Sequence, residues 1–400
     1  MSLPLEGFKV LSFAHAWAAP YGAMMLADMG ADVVKVEPPG VGDHTRNWTR
    51  NDLKGISPHF VSVNRNKRSI QLDLTTEEGR EIARRLVGEA DAIIENFAPG
   101  KLAKYGLDYD GASKLKPDIV YCSVSGYGAS GPYVNRRAYD LLLQAESGIL
   151  SVTGALDGEN AKVGVAVADV AAAMIAAYSV VCALLDHTRT GRGAYIDTSM
   201  LEVATSLMAF NVVDHSVSGS IPGPLGTAHP LLAPYQSYPT ATEPVVVCIL
   251  TDRHWELFRG FVARPELDDE RFATAPDRVD HRDEINEILV EVFAEHPQDW
   301  WVEHLNELGL AAGSQRNVVG LIDHPQHQAR GFFEHHTVEG VDVTVPGKPW
   351  AYGEARDRPS TPPAGKPGVH GDEVLADWLQ MSEGEIDSAV AAGAVTRPGS

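Results

Sequence analysis

Phe8–Glu37, FKVLSFAHAWAAPYGAMMLADMGADVVKVE, reads as strand, helix and strand in turn. Phe8–Phe13 is a short apolar run, Ala19–Met29 reads as a helix, and Asp32–Glu37 (DVVKVE) reads as the next strand. The alternation continues outward from it. Ser69–Leu74 predicts a third strand. Thr75–Glu89 predicts a helix opened by a capping box of Thr75 and Glu78, with Ile82, Leu86 and Val87 at helical spacing. Ala92–Glu95, Ile119–Val124 and Ala194–Thr198 predict further strands, and Leu201–Val213 a helix. Such β-α-β alternation implies an α/β fold with a doubly wound parallel sheet, whose ligands sit in the loops after the strands. Those loops are His15–Pro20, Pro38–Arg46, Asn96–Lys104 and Ser125–Arg137.

The chain of 400 residues exceeds what one compact core usually organises, so about two domains are expected. A Pro- and Gly-rich stretch, Ser218–Tyr235, marks a boundary. The expected domains are 1–220, a large one; 221–330, a small α/β one; and 331–400, a return to the first. Within the small domain Val245–Leu250 predicts a strand, and Arg253–Ala263, Arg282–Phe293 and Trp300–Leu308 predict helices. Beyond it come a strand at Val341–Val345, a Pro/Gly-rich stretch from Pro346 to Gly371 and a helix at Asp372–Gln380.

A net charge of −21 argues against nucleic acid or an anionic membrane surface as partner, but not against a small anion held by a local basic patch. The three cysteines, Cys122, Cys182 and Cys248, sit in apolar segments without metal-like spacing, which suits buried reduced thiols in the cytoplasm. MSLPLEGFKVLSF lacks the pattern of a signal peptide. No metal is expected: among fifteen histidines there is no HExxH, and His324/His327 and His335/His336 have no matching acid or cysteine. Gly40-Val41-Gly42 is followed by Thr at position 45, so the dinucleotide fingerprint is incomplete; GxxxxGK[ST] and GxSxG do not occur.

Two features point to chemistry. Lys67-Arg68, Lys101, Lys104 and Arg136-Arg137 fall in or beside the strand-end loops, where they would suit a phosphate-bearing ligand. The second is Lys162–Leu185, KVGVAVADVAAAMIAAYSVVCALL. Asp169 there heads sixteen uncharged residues, Val170 to Leu185, expected as a helix buried between layers and ended by a turn at Thr188–Gly193. An acid at a helix start is expected to be held ionised by backbone N–H groups. It could also act as a nucleophile on an activated acyl group.

Several stretches carry a family resemblance. They are VLSFAHAWAAPYGAMMLADMGADVVKVEPPGVGD, NRNKRSIQLDL, ADAIIENFAPG, SVSGYGASGPY, RAYDLLLQAESGILSVTG, VGVAVADVAA, HTRTGRGAYIDTSMLE and GTAHPLLAPYQSYPT. In order and spacing the chain resembles the class III (CaiB/BaiF-type) CoA-transferases over essentially its whole length. The resemblance implies a Rossmann-like large domain with a smaller inserted domain, and an interlocked homodimer. It implies that Asp169 is the catalytic nucleophile, passing through an acyl anhydride and an aspartyl-CoA thioester. It implies that CoA lies over His15, Ala16, Trp17, Leu72, Asn96, Phe97, Lys104, Tyr105, Arg137 and Tyr139. The substrates it implies are an acyl-CoA and a carboxylic acid, with no permanently bound cofactor.

Departures from the family's branches narrow this. Racemases of the family carry a catalytic His where this chain has Tyr139, a poor base near neutral pH with an ordinary pKa of about 10. Oxalate-using members carry a glycine run where this chain has GTAHPLLAPYQ, and an Arg where it has Lys104. The GTAH…PYQ segment is most similar to the branch using succinyl-CoA or glutaryl-CoA with dicarboxylic acids, for which Arg136 or His229 could hold the second carboxylate. A 2-methylacyl-CoA racemase and a non-catalytic CoA-binding protein remain as alternatives.

Overall fold

The computed structural model describes residues 3–156, 158–353 and 359–398, apart from the Asp52 side chain. Residues 354–358 of the Pro/Gly-rich stretch therefore lie outside the described residues. The chain forms two compact units. The first comprises Met1–Ile149, Val163–Val217 and Ala329–Ser400, and the second Leu150–Lys162 and Ser218–Gln328. Leu150–Lys162, expected in the large domain, groups with the second unit for a local reason. Gly154 bridges Asn160, and its carbonyl accepts the N–H of Gly226 at 2.9 Å.

The strands of the first unit are β1 (Lys9–Phe13), β2 (Asp32–Glu37), β3 (Lys67–Leu72), β4 (Ala92–Glu95), β5 (Val120–Ser125) and β6 (Ala194–Ser199). Those of the second are β7 (Tyr235–Tyr238), β8 (Val245–Cys248) and β9 (Ala311–Ser314). The first unit resumes with β10 (Phe333–Val338), β11 (Val341–Pro346) and β12 (Val395–Thr396). Its main sheet has the order β12-β3-β2-β1-β4-β5-β6. Every pairing is parallel except that of β12 with β3. The expected mixed α/β architecture with a large parallel-sheet core is thus present. Chain order reverses between β1 and β4, the place where open sheets of this type leave a ligand crevice.

Adjacent residues of β4 show how both faces are covered. Ile93 faces a core with Leu86 and Val87 of the Glu77–Glu89 helix and with Trp378 of the C-terminal Gly371–Leu379 helix. Ile94 points the other way, to the Ala18–Asp28 helix. A Cβ on Gly22 would lie 3.3 Å from the Ile94 Cδ1 and 2.8 Å from the carbonyl oxygen of Ala173. Only glycine lets the Ala18–Asp28 helix approach the Val167–Thr190 helix so closely.

The expected capping box of Thr75 and Glu78 does not form, because the cap falls one residue later and its third helical residue is Gly79, which has no side chain to return a bond. Thr76, not Thr75, caps the Glu77–Glu89 helix, accepting the Gly79 N–H at 3.0 Å. The Thr75 hydroxyl is instead held by Asp73, at 2.6 Å. The apolar helix runs on to Thr190 and ends at left-handed Gly191, so the first three residues of the expected turn at Thr188–Gly193 are helix. Nor is this helix buried all round. Ala168, Ala172, Ala173, Ala176 and Val180 are covered, while Met174, Ile175, Tyr178, Val181 and Leu185 are exposed. Its length and apolarity alone would also let it cross a membrane. The predicted Leu201–Val213 helix is two, Met200–Leu207 and Ala209–Ser218.

The second unit packs the antiparallel sheet β7-β8-β9 against the helices Asp252–Val262, Arg282–Phe293 and Gln298–Glu307. Val245, Val247, Trp255, Phe258, Leu289, Phe293 and Trp301 form its core.

Candidate active site

The carboxyl ends of β1, β2 and β4 build one half of the site. The His15 N–H donates to Asn96 Oδ1 at 2.9 Å, and Asn96 Nδ2 returns a bond to the His15 carbonyl at 2.8 Å. This reciprocal pair locks the loop after β1 to the loop after β4 across the crevice. Ala16 takes a left-handed φ of 61°. The Phe97 ring lies 5.1 Å from the His15 ring, and Lys101 stands over that same Phe97 ring, with Nζ 4.2 Å from its centroid. Trp17 is half-buried, and its indole N–H has no partner among the described residues.

Beneath these loops lies a buried ion network. Lys35 Nζ donates to Asp43 Oδ2 at 2.9 Å and to the Ala14 carbonyl at 2.5 Å. Asp43 Oδ1 accepts from Thr45 N–H at 3.0 Å and from the Thr45 hydroxyl at 2.8 Å. Glu37 takes a two-point contact from Arg46, at 2.8 and 2.7 Å, and further bonds from Asp43 N–H and Ser69. Burial alone would raise both acids, but Lys35 and His15 hold Asp43 far below the usual range, and Arg46 holds Glu37 below it. Burial, assisted by the charge of Lys35, lowers the pKa of His15.

The other half is the start of the Val167–Thr190 helix. This helix and the Ala18–Asp28 helix each precede a parallel strand of one sheet, so they run in the same direction. Gly22 touches Ala173, one turn past Asp169 just as Gly22 is one turn past Ala18. Asp169 therefore stands level with the His15–Trp17 loop.

Its setting differs from the sequence expectation. The N–H groups of Ala168 and Asp169 go to Asp140 Oδ1, at 2.9 and 3.4 Å, not to Asp169. Gln144 Nε2 fixes the other Asp140 oxygen at 2.6 Å, and Gln144 Oε1 accepts the Val163 N–H at 2.9 Å. The Asp169 carboxylate has no hydrogen bond among the described residues. Burial, and then the neighbouring Asp140 charge, push its pKa up to about 7. The helix start does not keep Asp169 ionised; it is half neutral at that pH. A carboxylate left without donors in a water-poor position is a better nucleophile than one that is bonded.

The remaining expected residues are dispersed. Leu72 is buried in the main core beside Val395. Lys104 is exposed, and Tyr105 packs partly on the same core. Arg137 is exposed in the loop after β5, and Tyr139, 65% exposed, immediately precedes Asp140. Two basic residues do not belong to a ligand-facing rim. Lys67 is buried at the start of β3, its Nζ donating to Pro20 O, Val63 O and Asn64 Oδ1 at 2.7–2.8 Å. Arg68 pairs with Asp32, Glu373 and Asp377. Both sit where β3 begins, and the sequence offered no way to tell a strand's first residues from its last. His229, raised as a partner for a second carboxylate, lies in the second unit with its ring stacked 5.0 Å from that of Tyr235. Arg136 lies over the Tyr133 ring at 3.5 Å.

Three residues went unread. Asp43 organises the His15 loop, and Asp140 caps a helix 28 residues ahead. Glu95, at the end of β4, accepts Ser123 Oγ at 2.5 Å and Phe97 N–H at 2.7 Å, and burial raises its pKa to about 6. An acid ahead of the apolar run DLLLQ is a capping signal for its own helix, but nothing local reveals a distant one.

The family model for CoA-transferase family III matches residues 5–370. A succinate–glutarate CoA-transferase of Agrobacterium fabrum is 37% identical over 392 residues, covering 94% of this chain and 95% of its own. A human succinyl-CoA:glutarate CoA-transferase is 32% identical, covering 98% and 90%. The crystal structure of a CAIB/BAIF family protein from Brucella suis superposes with a TM-score of 0.84 at 35% identity, covering 94% of this chain and all of that one. A match over nearly the whole length, on a sheet whose crevice faces an unbonded aspartate, places the chain in CoA-transferase family III.

Proposed function

We propose that this CoA-transferase moves CoA from succinyl-CoA to a dicarboxylic acid such as glutarate, with Asp169 as the nucleophile. The observation that carries the mechanism is the Asp169 carboxylate itself: half-buried, without a hydrogen bond among the described residues, and level with the loop that follows β1. The substrate assignment draws on the succinate–glutarate enzymes, which match across almost the whole chain.

The ionised Asp169 attacks the thioester carbonyl, and the C–S bond breaks to release CoA thiolate and leave a mixed anhydride. The thiolate then attacks the Asp169 carbonyl of that anhydride, expelling the donor acid and forming an aspartyl-CoA thioester. The acceptor carboxylate attacks this thioester and releases the thiolate again. Attack of the thiolate on the acceptor's carbonyl gives the new acyl-CoA and restores Asp169. No proton needs to be moved, which suits a site with Tyr139 where a racemase would have His. CoA would lie over His15–Trp17, Asn96, Phe97, Lys104, Tyr105 and Arg137, with Leu72 contributing main chain, since its side chain is buried.

The molecule would act as an interlocked homodimer in the cytoplasm. The exposed row Met174, Ile175, Tyr178, Val181 and Leu185, with Phe210, Val213 and Val217 on the Ala209–Ser218 helix, supports an oligomer that covers it. The free thiols suit a reducing compartment, although only Cys122 is buried as expected; Cys248 is half-buried, and Cys182 lies on the exposed face of the apolar helix.

Hydroxylamine trapping during turnover tests the mechanism. Succinyl-CoA should give a hydroxamate at Asp169, located by peptide mass spectrometry; transfer without any adduct there refutes it. A screen of mono- and dicarboxylic acids, read as new thioesters, tests the substrate class.

A further inference from the structure

We propose that His15, Asp43 and His44 form a binding site for a divalent cation of the zinc type, placed so that metal and acyl-CoA exclude one another. Histidine Nδ1 atoms of His15 and His44 lie 3.7 and 3.8 Å from the same oxygen, Asp43 Oδ1. All three donor atoms fall within 4.8 Å of one another. Donors bound tetrahedrally to zinc at about 2.1 Å stand about 3.4 Å apart. Each imidazole therefore needs to approach Asp43 Oδ1 by only a few tenths of an ångström, while the two imidazole donors, within 4.8 Å of each other, close by up to about 1.4 Å, which the exposed His44 side chain can supply.

His15 Nδ1 is buried without a hydrogen-bond partner among the described residues, an orphan that a metal would satisfy. The supporting contacts are those of a built carboxylate ligand. Lys35 holds Asp43 Oδ2, and Oδ1, the oxygen facing the imidazoles, is oriented by the Thr45 N–H and hydroxyl and by a long contact from the Ala16 N–H at 3.5 Å, the donor a metal would displace. His44 supplies the entry path, its side chain being 57% exposed, and its ring stacks 5.8 Å from that of His15. A fourth position stays open to water. Two imidazoles and one carboxylate suit zinc, cobalt or nickel better than magnesium or calcium, which prefer all-oxygen shells. The Lys35 charge opposes any cation here, so the site would load reversibly, as an inhibitory or regulatory site rather than a structural one.

The exclusion of acyl-CoA rests on the placement of CoA over the His15–Trp17 loop; the metal site does not. Cobalt(II) and zinc titrations of the untagged full-length chain test both. One equivalent per chain is expected, with visible cobalt absorption of four-coordinate intensity. His44→Asn should weaken that equivalent at least 10-fold, and His335→Asn should not affect it. A CoA thioether, which lacks a thiol able to bind metal, should displace the cobalt signal. Binding that is absent, or equally tight in His44→Asn, overturns the metal site. Binding that depends on His44 but resists the thioether leaves the site standing and overturns the placement of CoA.

Discussion

Replacing Asp169 with Asn should abolish transfer and, above neutral pH, make the protein more stable. The Asp169 pKa is raised from 3.8 to about 7 in the folded chain. Between those values the folded state holds a proton that the unfolded state has lost. Stability therefore falls as pH rises across this window, and the full penalty is present above pH 7. At about 1.4 kcal/mol per unit, the part developed between pH 5 and pH 8 is at most about 3 kcal/mol, and roughly 2 after relaxation of a half-buried group. Asn has nearly the same shape and no charge, and the helix start loses nothing because its N–H groups are held by Asp140. The advantage of Asp169→Asn over wild type should thus grow by roughly 2 kcal/mol from pH 5 to pH 8. Urea unfolding of both proteins, at one fixed concentration, measures it. Turnover should fall by at least about 1000-fold, since the neighbouring carboxylate, Asp140, has both oxygens engaged by the helix start and Gln144. A stability difference that stays flat with pH would refute the burial and like-charge account of Asp169, whatever happened to activity.

Further predictions follow from the same contacts. Because the nucleophile must be ionised, kcat/KM should rise with pH through about 7 and level above it. Asp140→Asn, which removes the like charge but keeps an oxygen for the helix start, should move that limb down by about one unit, as a pH–rate profile would show. Gly22→Ala places a methyl 2.8 Å from the Ala173 carbonyl and should destabilise the first unit by about 1–3 kcal/mol in denaturant melts. Lys67→Met leaves Pro20 O, Val63 O and Asn64 Oδ1 without their shared donor. It should lower stability by about 2–4 kcal/mol, while the KM for acyl-CoA in the surviving folded protein stays unchanged.

The sheet was legible because its signal is local. Each of β1, β2, β4, β5 and β6 is a short apolar run bounded by polar loops, and each falls within a residue or two of expectation. What lies beyond the reach of one segment was not. β12 pairs with β3 across more than three hundred residues, Val395 opposite Leu72, and two residues carry no pattern. The split of Leu201–Val213 into two helices leaves apolar periodicity intact on both sides of Met208, so periodicity could not find it. Charge was the least reliable guide. Lys67 and Arg68 look like Lys101 and Lys104 in sequence, but the first pair is consumed by carbonyls and acids at the sheet's other end.

Asp169 shows why a correct residue can carry a wrong reason. A helix start leaves backbone donors unmet, so an acid there is reasonably assigned to them. A second acid at that start changes the assignment. Asp140 reaches from the Asp140–Glu146 helix and takes the donors, with Gln144 gripping its other oxygen. The helix is thereby capped by a residue that need not react. The residue that must react is left unbonded, in a place where ionisation is costly and attack on a carbonyl removes the charge. Division of the two duties between two aspartates is compatible with both stability and chemistry. One aspartate doing both would be held by the very hydrogen bonds that make it a poor nucleophile.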